Sequence, residues 1–315
     1  MYKTLIAALL FGILPVSISS NSADSPSLAG IDIAPPSERL QFSERLSASG
    51  AIVIDLSSGQ EVFGIREDGK YPMASLTKIM TALIIAENHK LDERVRVPRD
   101  AANIEGNSSY LPVGEEFKVG DLLSALLIAS ANDAAYTLSV YHSGSEEAFA
   151  DEMNLRARAL GLSGTQFANS MGLDSPDQWS TARDLAWLAS FAFRREDIRK
   201  LMGTKYKRIY SLSGQPVDLT NTNALLHTDT SVFAGKTGTT SGAKQCLISF
   251  VRYGGKEYVV VLLHSDRRYT DMEKILSVLK SMNGKIGANN MSNGSKSGGS
   301  GETIVEMSAT GSKLF

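Results

Sequence analysis

Short apolar runs bounded by turn residues occur near the start and near the end of the chain. Ala51–Asp55 and Glu61–Ile65 are separated by a Ser-Ser-Gly turn, and this pattern predicts an early β-hairpin. Gln245–Arg252 and Glu257–Leu263 lie on either side of a Gly-Gly turn and predict a late hairpin. One antiparallel sheet built from both ends of the chain would account for both hairpins.

Between and after the hairpins, apolar residues recur at helical spacing. The pattern predicts helices over Ser75–Asn88, Val119–Ala129, Glu146–Leu160, Thr181–Phe193 and Asp271–Met282. A helix with an apolar stripe must bury it, and the face of a sheet offers the area to do so. We therefore expect an α/β (α+β) fold in which helices pack on the antiparallel sheet.

The amino-terminal residues have the composition of a targeting segment. Lys3, the apolar run Leu5–Leu14 and the small residues after Pro15 are typical of a secretory signal peptide, which we place at residues 1–24. The apolar run is shorter than the roughly 20 residues of a membrane span. The mature protein is therefore expected in the periplasm or cell wall, without a stable membrane anchor.

The carboxy-terminal residues differ again from the rest. Residues 284–315 are rich in Gly, Ser and Asn, and such a segment cannot bury enough apolar surface to offset its ordering entropy. We interpret it as a flexible tail. Residues 25–46 are interpreted as a linker between the signal peptide and the folded domain.

The overall composition limits the possible functions. The chain has 315 residues, of which 43% are hydrophobic and 21% charged, as expected of a globular protein with a sizeable core. Its net charge of -2 argues against a nucleic-acid-binding surface, which would be strongly basic. Cys246 is the only cysteine, and its apolar neighbours predict a buried side chain. No two histidines have the spacing of a zinc helix, so we expect no metal and no cofactor.

Three short motifs carry candidate chemistry: Ser75-Leu76-Thr77-Lys78, Ser130-Ala131-Asn132 and Lys236-Thr237-Gly238. A serine hydroxyl becomes a nucleophile when a base removes its proton. Residues three apart share a helix face, so Lys78 can approach Ser75 and act as that base. This role requires a lowered pKa for Lys78, and the positive charge of Lys236 is the candidate cause. The motifs together indicate an acyl-transfer site that uses lysine in place of histidine.

The third motif opens the late hairpin, where a strand edge could pair with an extended peptide. Gly238 would leave room for the close approach of that peptide. Lys236 would supply positive charge, and Thr237 a hydroxyl, for the terminal carboxylate of a substrate.

These motifs resemble those of the D-alanyl-D-alanine carboxypeptidase and endopeptidase family, the low-molecular-mass serine penicillin-binding proteins of the β-lactamase/transpeptidase-like superfamily. The surrounding sequence is similar too, in Met73–Lys78, Leu127–Ala135, Ser180–Ala186, Asn221–Asn223 and Gly235–Gly238. The resemblance covers the chain from about Ser47 to about Met282, so the catalytic domain is placed at residues 47–283. It implies the serine transpeptidase-like fold, with an all-helical subdomain beside the sheet.

The resemblance also implies catalytic roles. Ser75 would be the nucleophile, Lys78 the general base and Ser130 the relay that passes a proton to the leaving amine. The amides of Ser75 and Thr239 would hold the oxyanion. Substrate binding would involve Asn132, Lys236, Thr237, Gly238 and Thr239.

Two positions depart from the family pattern. Met171 stands where relatives often have histidine. The arginine that holds the substrate carboxylate in some relatives has only Arg267 and Arg268 as candidates.

The function implied is a secreted D-alanyl-D-alanine carboxypeptidase that acts on peptidoglycan stem peptides and is inhibited covalently by β-lactam antibiotics. The alternative is a D,D-endopeptidase that cuts D-Ala-meso-diaminopimelate cross-links, which the single-domain organisation favours slightly. A β-lactamase of the large class that uses a glutamate four residues before an asparagine is less consistent, because no glutamate between the second and third motifs has that spacing. An inactive wall-binding protein would be expected to have lost a motif residue.

Overall fold

The computed structural model describes residues 45–294, with side chains up to Ser281. A five-stranded antiparallel sheet forms its centre, in the strand order β2-β1-β9-β8-β7. The strands of this sheet are β1 (Gly50–Asp55), β2 (Glu61–Ile65), β7 (Val232–Thr240), β8 (Lys244–Tyr253) and β9 (Lys256–Ser265). Both predicted hairpins are confirmed, and residues from both ends of the described chain share one sheet.

Eight α-helices accompany the sheet in the described residues: α1 (Lys78–Asn88), α2 (Val119–Leu127), α3 (Asn132–Ser143), α4 (Glu146–Ala159), α5 (Ala182–Phe193), α6 (Glu196–Gly203), α7 (Ala224–Thr228) and α8 (Arg268–Gly294). The predicted helices are thereby confirmed within a few residues at most ends. None of the helices described is long and apolar enough to cross a membrane.

The sheet is covered on both faces, which explains why its central strands are continuously apolar. Along β9, Val259 and Val261 pack into one core with α1 and α5, whereas Val260 and Leu262 pack into another with α8. This alternation follows from the two-residue period of a strand. The ring of Phe193 in α5 stacks on Phe250 in β8, with the ring centroids 3.8 Å apart.

Helix α1 forms the centre of the helical region. Every residue from Lys78 to Ala86 is buried, so the helix is apolar on nearly all sides and is surrounded by others. Helices α2, α3 and α4 pack around it, and α5 and α6 connect it to the sheet. Ser145 accepts a hydrogen bond from the Ala148 amide and Thr181 one from the Asp184 amide, which caps α4 and α5 at their first turns.

Several short elements were not predicted from the sequence. They are α3, α6 and α7, and two two-stranded sheets formed by β3 (Arg94–Arg96) with β4 (Glu116–Lys118) and by β5 (Tyr206–Tyr210) with β6 (Pro216–Thr220). Most are too short to show a clear period in the sequence. Strand β7 also differs from expectation, because the Lys236-Thr237-Gly238 motif lies within a nine-residue strand that precedes the late hairpin.

The last helix is longer than predicted. The apolar spacing indicated Asp271–Met282, but α8 begins at Arg268 and continues to Gly294, past the boundary placed at residue 284. Glycine, serine and asparagine lower helix propensity by up to about 1 kcal/mol each relative to alanine, yet no proline interrupts this segment. The proposed signal peptide, all but the last two residues of the linker, and residues 295–315 of the tail lie outside the described residues.

Candidate active site

The nucleophile candidate Ser75 lies in a one-turn 3-10 helix, Ala74–Thr77, that leads directly into α1. Ala74 has a left-handed backbone with φ of 49°. Two glycines allow this turn to approach its neighbours: a Cβ on Gly238 would lie 2.9 Å from the Ser75 nitrogen, and one on Gly172 only 2.0 Å from the Ala74 carbonyl oxygen. We predicted Gly238 to make room for substrate, but the close contact found is with the turn that carries Ser75.

Lys78 makes three polar contacts, and their chemistry constrains its protonation. Its Nζ lies 2.7 Å from Oδ1 of Asn132 and 2.6 Å from the carbonyl oxygen of Met171, both of which can only accept hydrogen bonds. It lies 3.0 Å from Oγ of Ser75. A neutral amine has two N–H groups and one lone pair, so donating to the two acceptors leaves the lone pair for the Ser75 hydroxyl. An ammonium at this position would donate to all three oxygens, whereas the neutral amine can accept the serine proton.

Burial lowers the pKa of Lys78 to about 7 because desolvation penalises the ammonium, while the charges of Asp133 and Glu146 act in the opposite direction. We predicted the charge of Lys236 as the candidate cause of the lowered pKa, but burial is the cause found. The Lys78 side chain is fully buried, and desolvation alone is the largest cause. A pKa near neutrality makes the amine available as a base at physiological pH.

Lys236 and Ser130 form a second pair. Nζ of Lys236 lies 2.6 Å from Oγ of Ser130 and 2.9 Å from the carbonyl oxygen of Thr237. Burial lowers the pKa of Lys236, and repulsion from Lys78 and Arg268 lowers it further. When Lys236 donates to Oγ of Ser130, the hydroxyl hydrogen of Ser130 remains free to be donated elsewhere. Ser130 is held in a left-handed conformation, with φ of 60°, between α2 and α3.

Asn132 is the first residue of α3 and is oriented by its neighbours. Its Nδ2 donates to the carbonyl oxygen of Glu105 at 2.6 Å, which turns Oδ1 toward Lys78. Its backbone amide donates to the Asn107 carbonyl oxygen at 2.7 Å. The second motif therefore contacts both lysines, through Asn132 to Lys78 and through Ser130 to Lys236.

Strand β7 is an edge strand of the sheet, and it places the third motif beside Ser75. The Oγ1 atoms of Thr237 and Thr222 are 2.5 Å apart.

Of the two arginine candidates, Arg268 lies at this strand, whereas Arg267 is exposed. One Nη atom of Arg268 donates to the carbonyl oxygens of Gly238 and Cys246 at 2.8 and 2.9 Å, and the other donates to Oγ1 of Thr239. Cys246 is buried, as predicted.

A loop that the motif analysis did not assign forms the third side of the site. Met171 lies in it, and its carbonyl oxygen binds Lys78. Oδ1 of Asn169 accepts from the amides of Met171, Gly172 and Leu173, which fixes the turn. Glu146 accepts from the amide and hydroxyl of Ser170. The departure of Met171 from the family pattern drew attention to this segment. The contact itself could not be predicted from the sequence, because every residue has a backbone carbonyl.

A second loop lies against the Ser130-Ala131-Asn132 motif. The Asp133 carboxylate accepts from Oγ of Ser108 at 2.7 Å and from the amides of Ser109 and Leu111 at 3.2 and 2.9 Å. Asp133 thereby fixes the conformation of the residues that follow Asn107. None of the described residues forms a cluster of three or more His, Cys, Asp or Glu side chains suited to a metal ion.

The packing of Gly172 yields a test of the site geometry. We expect Gly172→Ala to abolish acylation of Ser75 by a β-lactam, because the added Cβ would overlap the Ala74 carbonyl and displace the turn that carries Ser75. Gly144→Ala is the matched control: Gly144 has a similar φ of 81°, against 89° for Gly172, but an added Cβ there meets no atom within 4 Å.

Both variants carry the left-handed backbone penalty of about 1 kcal/mol, so both should lose some stability in urea unfolding. Only Gly172→Ala should lose acylation, measured as the mass of the covalent adduct. Equal acylation by the two variants would show that the turn tolerates displacement.

Comparison with known proteins agrees with the geometry. The D-alanyl-D-alanine carboxypeptidase DacF of Bacillus subtilis is 34% identical over 220 residues, which cover 68% of this chain and 57% of that protein. A D-alanyl-D-alanine endopeptidase of Pseudomonas aeruginosa is 29% identical over 240 residues, covering 75% of this chain and 77% of that protein. The chain thus spans less than two thirds of the length of the Bacillus relative.

The crystal structure of the Streptomyces K15 DD-transpeptidase superposes with a TM-score of 0.72 and 27% identity, covering 76% of this chain and 100% of the other. This confirms the serine transpeptidase-like fold. A family model described as D-alanyl-D-alanine carboxypeptidase matches residues 37–267. With more than half of its length matched in this way, the chain belongs to the D-alanyl-D-alanine carboxypeptidase family.

Proposed function

We propose that the protein is a serine D-alanyl-D-alanine carboxypeptidase that removes the terminal D-alanine of peptidoglycan stem peptides through an acyl-serine intermediate. The observation that carries this proposal is the contact set of Lys78: its Nζ lies 3.0 Å from Oγ of Ser75 and is held by two acceptors, so the neutral amine can present its lone pair to the Ser75 hydroxyl. The family membership and the named relatives support the substrate class.

Acylation begins when Lys78 takes the proton of Ser75 and Oγ of Ser75 attacks the carbonyl carbon of the penultimate D-alanine. The carbonyl oxygen becomes an oxyanion, which the amides of Ser75 and Thr239 stabilise. The C–N bond then breaks, and the leaving amine takes the hydroxyl proton of Ser130. Lys236 donates to Oγ of Ser130 at 2.6 Å and stabilises the negative charge that develops there. The products are free D-alanine and an ester on Ser75.

Deacylation repeats these steps with water in place of Ser75. First, the proton that Lys78 took from Ser75 passes to the oxygen of Ser130, so that both groups return to their starting states. Lys78 then takes a proton from the water, whose oxygen attacks the ester, and the Ser75 oxygen leaves with that proton. Asp133 and Glu146 are the two carboxylates whose charges act on Lys78. Asp133 accepts from Ser108, Ser109 and Leu111, and Glu146 accepts from Ser139 and Ser170, so neither replaces Lys78 as the base in this step. This arrangement favours a slowly hydrolysed penicillin adduct over a β-lactamase.

Substrate binding divides between two sides of the site. Asn132 would bind the peptide on the acyl side of the scissile bond. Thr237 and Lys236, on the edge strand β7, would bind the terminal carboxylate. The positive charge of Arg268 beneath Gly238 and Thr239 adds to the attraction of that carboxylate.

The second candidate function is a D,D-endopeptidase that cuts D-Ala-meso-diaminopimelate cross-links. The similarity to the Pseudomonas endopeptidase, which extends over 77% of that protein, favours it. Cross-linked muropeptide dimers separate the two functions: a carboxypeptidase removes a single alanine from pentapeptides, whereas an endopeptidase converts dimers to monomers.

We further propose that the mature protein acts in the periplasm or cell wall. The composition of residues 1–24 supports export, and the assembled peptidoglycan lies outside the cytoplasmic membrane. Its partners would be stem peptides and, as covalent inhibitors, β-lactam antibiotics.

The first test is the intact mass of the protein after brief exposure to benzylpenicillin. We expect an adduct of one penicillin mass that persists for minutes, because no carboxylate assists deacylation. Ser75→Ala should give no adduct. Unmodified wild-type protein with intact drug would contradict the proposed mechanism, and rapid drug hydrolysis would indicate a β-lactamase instead.

The pH dependence of acylation tests the role of Lys78. The base must be neutral, and its pKa is about 7. The acylation rate should therefore rise roughly tenfold per pH unit below about pH 7 and level off above it. Stopped-flow measurement with a chromogenic β-lactam between about pH 5 and 9 would show this limb. A rate that is independent of pH across this range would argue against Lys78 as the base.

Replacing the arginines tests carboxylate recognition. Arg268→Leu should lower kcat/KM for a pentapeptide by about tenfold to a hundredfold, the usual effect of losing a charge-assisted contact. Arg267→Leu is the matched control and should have little effect, because Arg267 is exposed. Circular dichroism would check that Arg268→Leu still folds. Equal effects of the two substitutions would exclude a specific role for Arg268.

A further inference from the structure

Tyr110 combines a strained backbone with an exposed side chain. Its φ is 55°, in the left-handed region that residues other than glycine rarely adopt because Cβ crowds the carbonyl oxygen. Its side chain is 87% exposed. Exposure means that packing within the chain does not offset the strain.

The other left-handed residues that are not glycine differ from Tyr110. Across residues 45–294 they are Arg66, Ala74, Ser130, Lys244 and His264. Ala74 and Ser130 are buried in the site. The side chains of Arg66, Lys244 and His264 make polar contacts with Ser49, Asp266 and Ser49 respectively. Within the same residues, no hydrogen-bond partner is found for the Tyr110 phenol.

The loop that carries Tyr110 is held against the active site. The Asp133 carboxylate binds the residues on both sides of Tyr110, through the Ser109 amide and the Leu111 amide. The Tyr110 amide donates to Oγ of Ser108 at 3.0 Å. Three residues earlier, the Asn107 carbonyl oxygen accepts from the Asn132 amide. The backbone that carries the Tyr110 ring is thus held by the same short segment that supplies Ser130 and Asn132.

We propose that the Tyr110 ring is a binding subsite for the stem peptide on the amino side of the scissile bond, an inference that rests on the proposed function. Strained backbone conformations that the surrounding structure holds in place cluster at active sites and ligand-binding segments. Asn132 binds the acyl side of the substrate in this proposal, so the neighbouring loop meets the peptide upstream of the scissile bond. Tyrosine offers a large amphipathic surface with only two side-chain torsions to restrict, and its fixed loop reduces the entropy lost on binding.

The effect of Tyr110→Gly on stability distinguishes a ligand-binding role of Tyr110 from a structural role. If Tyr110 served the fold, glycine at this position would destabilise the protein. If it serves the ligand, Tyr110→Gly relieves the left-handed strain, which compensates for the greater chain entropy of glycine in the unfolded state. The midpoint of urea unfolding should then be unchanged or raised while peptide binding weakens.

Binding is measured by calorimetry in the Ser75→Ala background, so that no ligand is consumed. The two ligands are a disaccharide pentapeptide, which contains the upstream residues, and N-acetyl-D-alanyl-D-alanine, which lacks them. We expect Tyr110→Gly to weaken binding of the pentapeptide about fivefold, equivalent to about 1 kcal/mol, and that of the short ligand by much less. Tyr110→Phe should bind the pentapeptide as the parent does, because the ring makes the contact.

Leu155→Ala serves as the matched control, since Leu155 is an exposed apolar side chain on α4. It should change neither Kd. The proposal is overturned if Tyr110→Gly leaves the pentapeptide Kd unchanged, weakens both ligands equally, or lowers the unfolding midpoint. Weakening by Tyr110→Phe equal to that by Tyr110→Gly would also overturn the role of the ring. Hydrolysis of both ligands by the protein with Ser75 intact is assayed separately, so failure of the proposed function is visible on its own.

Discussion

The buried amine of Lys78 is the constraint on which the rest of the site depends. A lysine removed from water is stable only as a neutral amine or with compensating charges, and here burial lowers its pKa to about 7. The unfolded chain therefore binds more protons than the folded one between about pH 7 and 10.5, so this residue makes folding more favourable as pH rises through that window. Below it, the protein must bury an ammonium. Burial of Lys78 therefore both provides the neutral base that catalysis requires and lowers the stability of the fold at low pH.

The environment of Lys78 in turn explains why distant segments must meet. Its amine needs acceptors that leave one lone pair free, and these come from Asn132 and from the carbonyl of Met171. A carbonyl can be placed accurately only if its loop is fixed, which is the task of Asn169 and Glu146. The turn that carries Ser75 must then fit between this loop and strand β7. Gly172 and Gly238 are required for that fit, because a Cβ at either position would overlap the turn.

The sequence predicted the fold class, both hairpins and the long helices, because these elements contain enough residues to display their periods. The spacing of Ser75 and Lys78 and the order of the motifs also predicted the polar residues of the site. In the structure they form two groups: Lys78 contacts Ser75 and Asn132, and Lys236 contacts Ser130. The sequence did not predict the contact of Met171, since any residue has a carbonyl. The contact of Gly238 with the turn that carries Ser75 was missed for a related reason: a sequence shows that a glycine is present, but only coordinates show which atom occupies the space beside it.

The strained backbone of the active site is held in place by the core around it. Ala74 and Ser130 are left-handed, yet one precedes the nucleophile and the other contacts Lys236, and both are enclosed by buried neighbours that can offset the cost. The nearly all-apolar helix α1, packed on several sides, supplies much of that rigidity at the position where Lys78 begins it. A reactive serine and two desolvated lysines can therefore persist only beside a large core, which is why the site lies where the sheet edge meets the helical region rather than on an exposed loop.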